Sequence, residues 1–409
     1  MLNLALLSFH GCPVARLGEK DTGGMNVYVM QLAKELGSLG HKVDVYTRYH
    51  DPKDPEIVEL GKNARVIHLA AGYHQAKKED LHRFVPQFLR SLYSFQRRNQ
   101  IKYDLIHSNY WLSGRVGIAL SEEWDIPHVS TFHTLAKTKL MARAGERESD
   151  LRSTVEKTVM DMADTIVVTT EMEKEDLVRL YGAAHTKIKV NPAGVDLDLF
   201  RPMDKLEARG RLGLDESRII LYVGRIEPLK GIDILLEAVS LMEWGTDYRL
   251  IIVGGSLEGD EHLEFLKNLA RELGIEDKVS FTGSIEQDKL PSFYSAADVF
   301  VLPSHHESFG LVALEAMACG SPVIASRVGG LKTFLNNGES GYLIPWQCPD
   351  PFAQRLDILL ANPSLMNTMG NAAKLKALDM GWGGVAERML DLYTGLLHEP
   401  LESVAGASS

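Results

Sequence analysis

The chain has 409 residues, 45% hydrophobic and 24% charged, which is enough for two domains with separate cores and excludes a disordered or fibrous class. A formal net charge of -11 excludes a general nucleic-acid binder and a protein held on anionic lipid by bulk charge. The three cysteines, Cys12, Cys319 and Cys348, are far apart and lack Cys-x-x-Cys spacing, so neither a disulfide framework nor a zinc signature follows and a reducing cytoplasm is the expected compartment.

The opening run "MLNLALLSFHGCP" is apolar without a basic leader and reads as a first buried strand rather than a signal peptide. Further strands are expected at 42–47, 64–70, 103–108, 127–132, 165–170 and 187–191, with helical stretches between most of them. Val29, Leu32, Ala33, Leu36 and Leu39, for example, recur at helical spacing after the first strand. The stretch "EDLHRFVPQFLRSLYSFQRRNQ" is amphipathic, with arginines 83, 90, 97 and 98 on the polar side, and is expected to pack on the core. Pro, Gly and charge break the alternation at "NPAGVDLDLFRPMDK", and Asp196 and Asp198 there read as linker capping rather than metal ligands.

Beyond the break, strands are expected at 218–224, 248–254, 278–283, 297–303, 322–326 and 341–345. Continuous apolar strands separated by helices require parallel sheets covered on both faces. The expected fold is α/β, with two doubly wound Rossmann-like domains facing across a cleft. Residues 1–195 form the first domain and 196–382 the second. A last amphipathic helix, about 383–400, has no strand after it and can pack on either domain. No stretch approaches the roughly 18 apolar residues of a membrane span.

Three segments carry chemistry. Gly23 and Gly24 follow the first strand where a helix begins, and glycine lets backbone approach a ligand while the helix mouth favours anions. No Gly-x-Gly-x-x-Gly or Walker pattern accompanies them. Arg225 and Lys230 follow the strand "LYVG", two cations at a carboxyl edge suited to a diphosphate. In "PSHHESFGLVALEAMACG", Glu307 precedes a helix that starts near Gly310, and Glu315 lies about 7.5 Å further along its axis. Amides at Phe309, Gly310 and Leu311 would face a bound anion. Carboxylates accept hydrogen bonds and repel phosphate, so the two glutamates suit hydroxyls on either side of it. A sugar nucleotide has that layout. Paired carboxylates also serve glycosidases, and spacing alone leaves that open.

Taken together, the paired glutamates with seven residues between them, "VGRIEPLKG" and "DTGGMNVYV" resemble the retaining family 4 glycosyltransferases of GT-B fold, over nearly the whole chain. The resemblance implies that Glu315 holds ribose hydroxyls and Glu307 the hydroxyls of the donor sugar. Arg225 and Lys230 hold the diphosphate, and His133 of "STFHTLAK" lies beside the sugar. It implies a UDP-sugar donor, carrying glucose or N-acetylglucosamine, with no cofactor and no essential divalent metal.

A narrower resemblance, in "SFHGCP", "KKEDL", "NYWLSG" and "FHTLAKTK", is to family members that glycosylate inositol phosphate in mycothiol assembly. It implies Asn26, Lys78, Tyr110, Thr134 and Arg152 as acceptor residues, and a homodimer. The run Lys137, Lys139, Arg143, Arg147 and Arg152 in an acidic chain gives independent support for an anionic acceptor. Other readings stay open: transfer to a sugar phosphate, since sucrose-phosphate synthases share the Gly-Gly loop and a His loop followed by lysine; a sugar-nucleotide epimerase on the same fold; a lipid glycosyltransferase; and a non-catalytic sugar-nucleotide sensor. No nucleic acid and no stable membrane association is expected.

Overall fold

A computed structural model describes residues 1–15, 23–243, 245, 247–257, 259–345 and 347–398; Asp21 and Thr22 of the "DTGG" segment lie outside the described residues. The expected apolar runs form two sheets in succession. Their residues are buried on both faces, as at Ala5, Leu6 and Leu7 or Ile219, Ile220 and Leu221, because helices cover each side.

The first sheet contains β1 (Asn3–Leu7), β2 (Lys42–Arg48), β3 (Ile57–Gly61), β4 (Ala64–Leu69), β5 (Leu105–Asn109), β6 (His128–Thr131), β7 (Thr165–Val168) and β8 (Ile188–Val190). Its order is β3-β4-β2-β1-β5-β6-β7-β8. The second contains β9 (Arg218–Val223), β10 (Tyr248–Val253), β11 (Val279–Gly283), β12 (Val299–Leu302), β13 (Val323–Ser326) and β14 (Gly341–Ile344), ordered β11-β10-β9-β12-β13-β14. All neighbours are parallel except β3 and β4.

Strand β3 is the element the sequence pattern does not announce. It alternates between exposed and half-buried residues at the sheet edge, and antiparallel pairing with β4 holds it, with Glu59 opposite Arg65. Edge strands carry such polar residues and so lack the apolar run that marks buried ones.

In each sheet the strand order reverses once, between β1 and β5 and between β9 and β12. Loops leaving the carboxyl ends there diverge to opposite faces and open a crevice, the ligand position of doubly wound sheets. The loop after β1 carries Gly23 and Gly24, and β5 runs directly into Tyr110. The loops after β9 and β12 carry Arg225 with Lys230, and Glu307 with Gly310. Topology thus delivers the singled-out segments to two facing crevices.

Between the sheets Asp196 caps a turn. Its Oδ1 accepts the amides of Asp198 and Leu199 at 3.1 and 3.0 Å, and its Oδ2 accepts Gln31 Nε2 at 3.1 Å. The last helix, Trp382–His398, buries Trp382, Val385, Ala386, Met389 and Tyr393 on one face. That face returns to the first sheet's side: Asn191 Nδ2 donates to the Val385 carbonyl at 3.1 Å, and Tyr393 Oη lies 2.6 Å from His107 Nδ1. The helix Val85–Arg98 buries Val85, Phe88, Leu92 and Phe95 and turns its arginines outward, with Arg97 and Arg98 at the negative end of its dipole. Among the described residues no helix is long and apolar enough to cross a membrane.

Candidate active site

A cleft of about 520 Å³ opens between the two crevices and is lined by both halves of the chain. Every site residue singled out from the sequence lines it. The second half contributes Arg225, Lys230, Glu307, Phe309, Gly310, Leu311 and Glu315; the first contributes Gly24, Asn26, Lys78, Tyr110, His133, Thr134 and Arg152. The glycine loop reaches across: a Cβ on Gly23 would meet Arg225 Nε at 3.7 Å, and one on Gly24 would meet Leu311 Cδ1 at 3.4 Å. Side chains at these two positions would therefore occupy the space between the halves.

On the second half, Lys230 Nζ bonds Glu307 Oε1 at 2.7 Å, and Ser304 Oγ donates to the same oxygen at 2.8 Å. Burial alone would lift the Glu307 carboxyl, but the Lys230 charge and the two hydrogen bonds outweigh it and hold it below the usual range. Arg225 Nη1 faces Glu227 Oε1 at 2.7 Å, with both side chains more than a third exposed.

Gly310 has φ of 94° and precedes the helix Leu311–Ala318, so the first-turn amides, which lack partners inside a helix, open on the cleft. Two glycines that the sequence pattern does not single out shape this turn. A Cβ on Gly329 would overlap the Glu307 carbonyl oxygen, and one on Gly330 would stand 2.6 Å from Phe309 Cα. Their one sequence signal is the pair in "RVGG".

Glu315 sits deeper. It accepts Tyr294 Oη at 2.8 Å, and burial pushes its carboxyl up to about 7 against the pull of Tyr294 and Gln287. Tyr294 is 21 residues away in sequence and no local pattern marks it.

The first half supplies an aromatic and cationic wall. Lys78 Nζ lies 5.0 Å from the Tyr110 ring centroid and Arg152 Cζ 4.9 Å from it, so that ring is flanked by two cations. Arg152 is buried. Its Nε donates to Glu156 Oε1 at 2.7 Å, its Nη1 pairs with Glu148 Oε1 at 2.9 Å, and its Nη2 donates to the Thr134 carbonyl at 2.8 Å. Asn26 ties the glycine loop: its Nδ2 donates to the Cys12 carbonyl at 2.7 Å and its Oδ1 accepts the Gly23 amide at 3.1 Å.

His133 adopts φ of 62°, an uncommon conformation for a non-glycine residue, and donates from Nε2 to Asn109 Oδ1 at 2.8 Å. Burial drives its imidazole down to about 3, so the ring is neutral near neutrality. Its carbonyl accepts Ser308 Oγ, a contact that spans the two halves.

One expectation changes. The basic run at 137–152 is not one patch. Lys137 turns away to the Leu180 carbonyl at 2.5 Å and the Tyr181 ring, while Lys139 and Arg152 share Glu148. Glu148 stands within the run and neutralises two of its cations, which a count of cations alone overlooks. His10, just beyond β1, also lines the cleft, 4.4 Å from the Tyr110 ring, and its buried Nδ1 has no hydrogen-bond partner among the described residues. Burial first, then Lys78, Arg152, His133 and Arg48, keeps that ring neutral.

Comparison with known proteins agrees with this geometry. Residues 22–199 match the model described as Glycosyltransferase Family 4, and residues 204–376 the one described as Glycosyl transferases group 1. The chain is 40% identical over 410 residues to a D-inositol 3-phosphate glycosyltransferase of Kineococcus radiotolerans, covering 95% of this chain and 94% of the relative. It is 39% identical to that of Thermobispora bispora, covering 99% and 98%. Among solved structures, the sucrose-phosphate synthase of Thermosynechococcus elongatus superposes with a TM-score of 0.90 at 36% identity over 97% of this chain and 99% of that one. A 19% identical Anabaena protein, HepE, solved with UDP and glucose, shares the fold with a TM-score of 0.78 over 97% of this chain and 100% of that one. Two Rossmann-like lobes closing on a cleft in this way form the GT-B fold, and the chain belongs to the family 4 glycosyltransferases.

Proposed function

We propose that this glycosyltransferase moves a sugar from a UDP-sugar to a hydroxyl of a small phosphorylated polyol, an inositol phosphate, with retention of the donor's anomeric configuration. One observation carries the reading: Lys230, Arg225 and a helix start face Lys78, Tyr110 and Arg152 across a single cleft. Two separate groups of cations suit two separate anions, a donor diphosphate and an acceptor phosphate. Near-full-length likeness to D-inositol 3-phosphate glycosyltransferases supports the acceptor class.

In this reading residues 196–382 form the donor lobe and residues 1–195, with the last helix packed back on them, the acceptor lobe. Arg225, Lys230 and the amides at Phe309, Gly310 and Leu311 stabilise charge that grows on the leaving diphosphate. Glu315 accepts the ribose hydroxyls and Glu307 those of the transferred sugar. Gly24 leaves room for the diphosphate, and His133 lies beside the sugar. Asn26, Lys78, Tyr110, Thr134 and Arg152 orient the acceptor so that its hydroxyl attacks from the leaving-group side. The departing diphosphate oxygen takes that hydroxyl's proton. No covalent nucleophile and no catalytic metal takes part, so the acceleration comes from positioning and fixed charge. The enzyme works in the cytoplasm, as a homodimer, without nucleic acid or a stable membrane attachment.

The test is a matrix of UDP-glucose and UDP-N-acetylglucosamine against inositol phosphate, fructose 6-phosphate and glycerate-type acceptors, read by mass spectrometry, with the product anomer assigned by NMR. Turnover with inositol phosphate and an α-linked product is expected. A second reading, transfer to a sugar phosphate, is favoured by the 36% identity to a sucrose-phosphate synthase. Turnover confined to fructose 6-phosphate selects it, and no turnover in any cell rejects both.

A further inference from the structure

Outside the cleft, three side chains from separate elements converge behind the glycine loop. Cys12 follows β1, His50 follows β2, and His68 lies in β4. One ligand atom from each lies within 4.8 Å of the other two, and Cys12 Sγ is 3.2 Å from His68 Nε2.

The hydrogen bonds around them fix which atoms are free to coordinate. His68 Nδ1 donates to the Pro55 carbonyl at 2.7 Å, so Nε2 carries the lone pair and aims it at the sulfur. His50 is exposed, and its Nδ1 lies 2.8 Å from Asp54 Oδ2. A backbone carbonyl behind one imidazole and a carboxylate behind the other is the outer-shell pattern that orients metal-bound histidines. Tyr49 stacks on the His68 ring at 5.6 Å and limits its rotation.

We propose that Cys12, His50 and His68 bind a zinc-class divalent cation, with Asp54 as the outer partner of His50 and the fourth position open to solvent. The donor set of one thiolate and two imidazoles favours a borderline-soft ion over magnesium or calcium. Tetrahedral zinc with bonds of about 2.0–2.3 Å spaces its ligand atoms about 3.3–3.7 Å apart. The Cys12–His68 pair is already close to this spacing, and the exposed His50 ring can close the remainder. On binding, the thiol proton leaves to solvent and the sulfur lone pair forms the metal bond.

The site fastens a loop. The Cys12 carbonyl holds Asn26, whose side chain holds Gly23, so an ion on Cys12 braces the glycine loop from behind. Its role is structural, and no step of sugar transfer passes through it. Cysteine spacing gives no sign of the site because its members lie on three strands' loops and ends, brought together by the β1-β2-β4 order.

The test uses the full chain stripped by chelator and titrated with Co²⁺, then with Zn²⁺ in competition. The expected result is one equivalent of Co²⁺ with a thiolate-to-metal charge-transfer band, displaced by Zn²⁺, and a melting temperature raised by Zn²⁺. Cys12→Ser removes the band, while Cys319→Ser and Cys348→Ser keep it. His68→Gln and Asp54→Asn each weaken the apparent affinity, the latter by about 10–100-fold. Circular dichroism confirms that each variant is folded, and the affinity of His68→Gln decides the outcome if Cys12→Ser does not fold. Absence of saturable uptake, a band that survives Cys12→Ser, or unchanged affinity in His68→Gln overturns the proposal.

Discussion

In the second lobe's wall, Lys230 and Arg225 each face one carboxylate at 2.7 Å, and both keep some exposure. In the first lobe's wall, Arg152 is 3% exposed and its three nitrogens are committed to Glu156, Glu148 and Thr134. A cation held by one partner can turn to an arriving phosphate at little cost. A guanidinium held on every nitrogen is framework first, and it sets the positions of Thr134 and Tyr110. The carboxylates around it differ too. Burial would raise both, but the charges of Arg152 and Lys139 win at Glu148 and hold it down, whereas burial wins at Glu156 and lifts it. One wall is arranged to change partners, the other to stay fixed.

Breaking the fixed wall gives the largest effect. Glu156→Ala leaves Arg152 Nε, the Ala136 amide and Tyr181 Oη facing a buried void. The expected loss is about 3–5 kcal/mol of stability, read as an earlier denaturant midpoint. An unchanged midpoint removes the contrast between the walls.

Lys230→Ala tests the adaptable wall. The chain stays folded by circular dichroism and kcat falls about 10²–10³-fold. A retained kcat rejects Lys230 as a stabiliser of the leaving group. Lys78→Ala sharpens the comparison, because that cation stands on the first lobe's wall of the cleft, the side proposed to hold the acceptor. The acceptor KM rises about 10–100-fold, the range of one charged hydrogen bond, while the donor KM and kcat hold. A shift in donor KM instead shows that Lys78 serves the other anion.

The smallest signal is protonic. Burial pushes the Glu315 carboxyl up to about 7, and donated ribose hydroxyls favour the ionised form. Donor binding therefore lowers that pKa and releases nearly one proton at about pH 6 and almost none at about pH 9. Calorimetry of UDP binding in buffers of different ionisation enthalpy measures this. The same raised value acts oppositely on the unliganded fold: the stability it contributes is present below the ordinary carboxyl range and is lost as pH rises through about 7. Proton uptake on binding would contradict the ribose role.

The second lobe's wall is readable because its residues arrive in short contiguous pieces. Arg225 and Lys230 share one loop, and Glu307, Gly310 and Glu315 share one turn and helix. Gly329 and Gly330 are not, although "RVGG" is plain, since their task is to admit the Glu307–Phe309 backbone from another loop. Tyr294 stays hidden because a hydrogen-bond partner 21 residues away leaves no periodicity, whereas Ser304, Glu148 and Glu156 lie three or four residues from the groups they hold, within reach of a local reading. The edge strand β3 is hidden for want of an apolar run, and the basic run at 137–152 misleads when only its cations are counted, because Glu148 within the run pairs with both Lys139 and Arg152.

By itself the sequence determined the α/β alternation, the approximate strand positions and the helix mouths, because each depends on residues within a few positions of one another. Tertiary structure decided which loops meet. The strand orders reverse between β1 and β5 and between β9 and β12, and those reversals select four loop regions to face one cleft. It decided distant pairing as well, setting Lys230 on Glu307 over 77 residues and the Thr134 carbonyl on Arg152 over 18. The physical reason is that side-chain patterns record a residue's local environment, whereas ion pairs and clefts depend on distances through space that only strand order and packing fix.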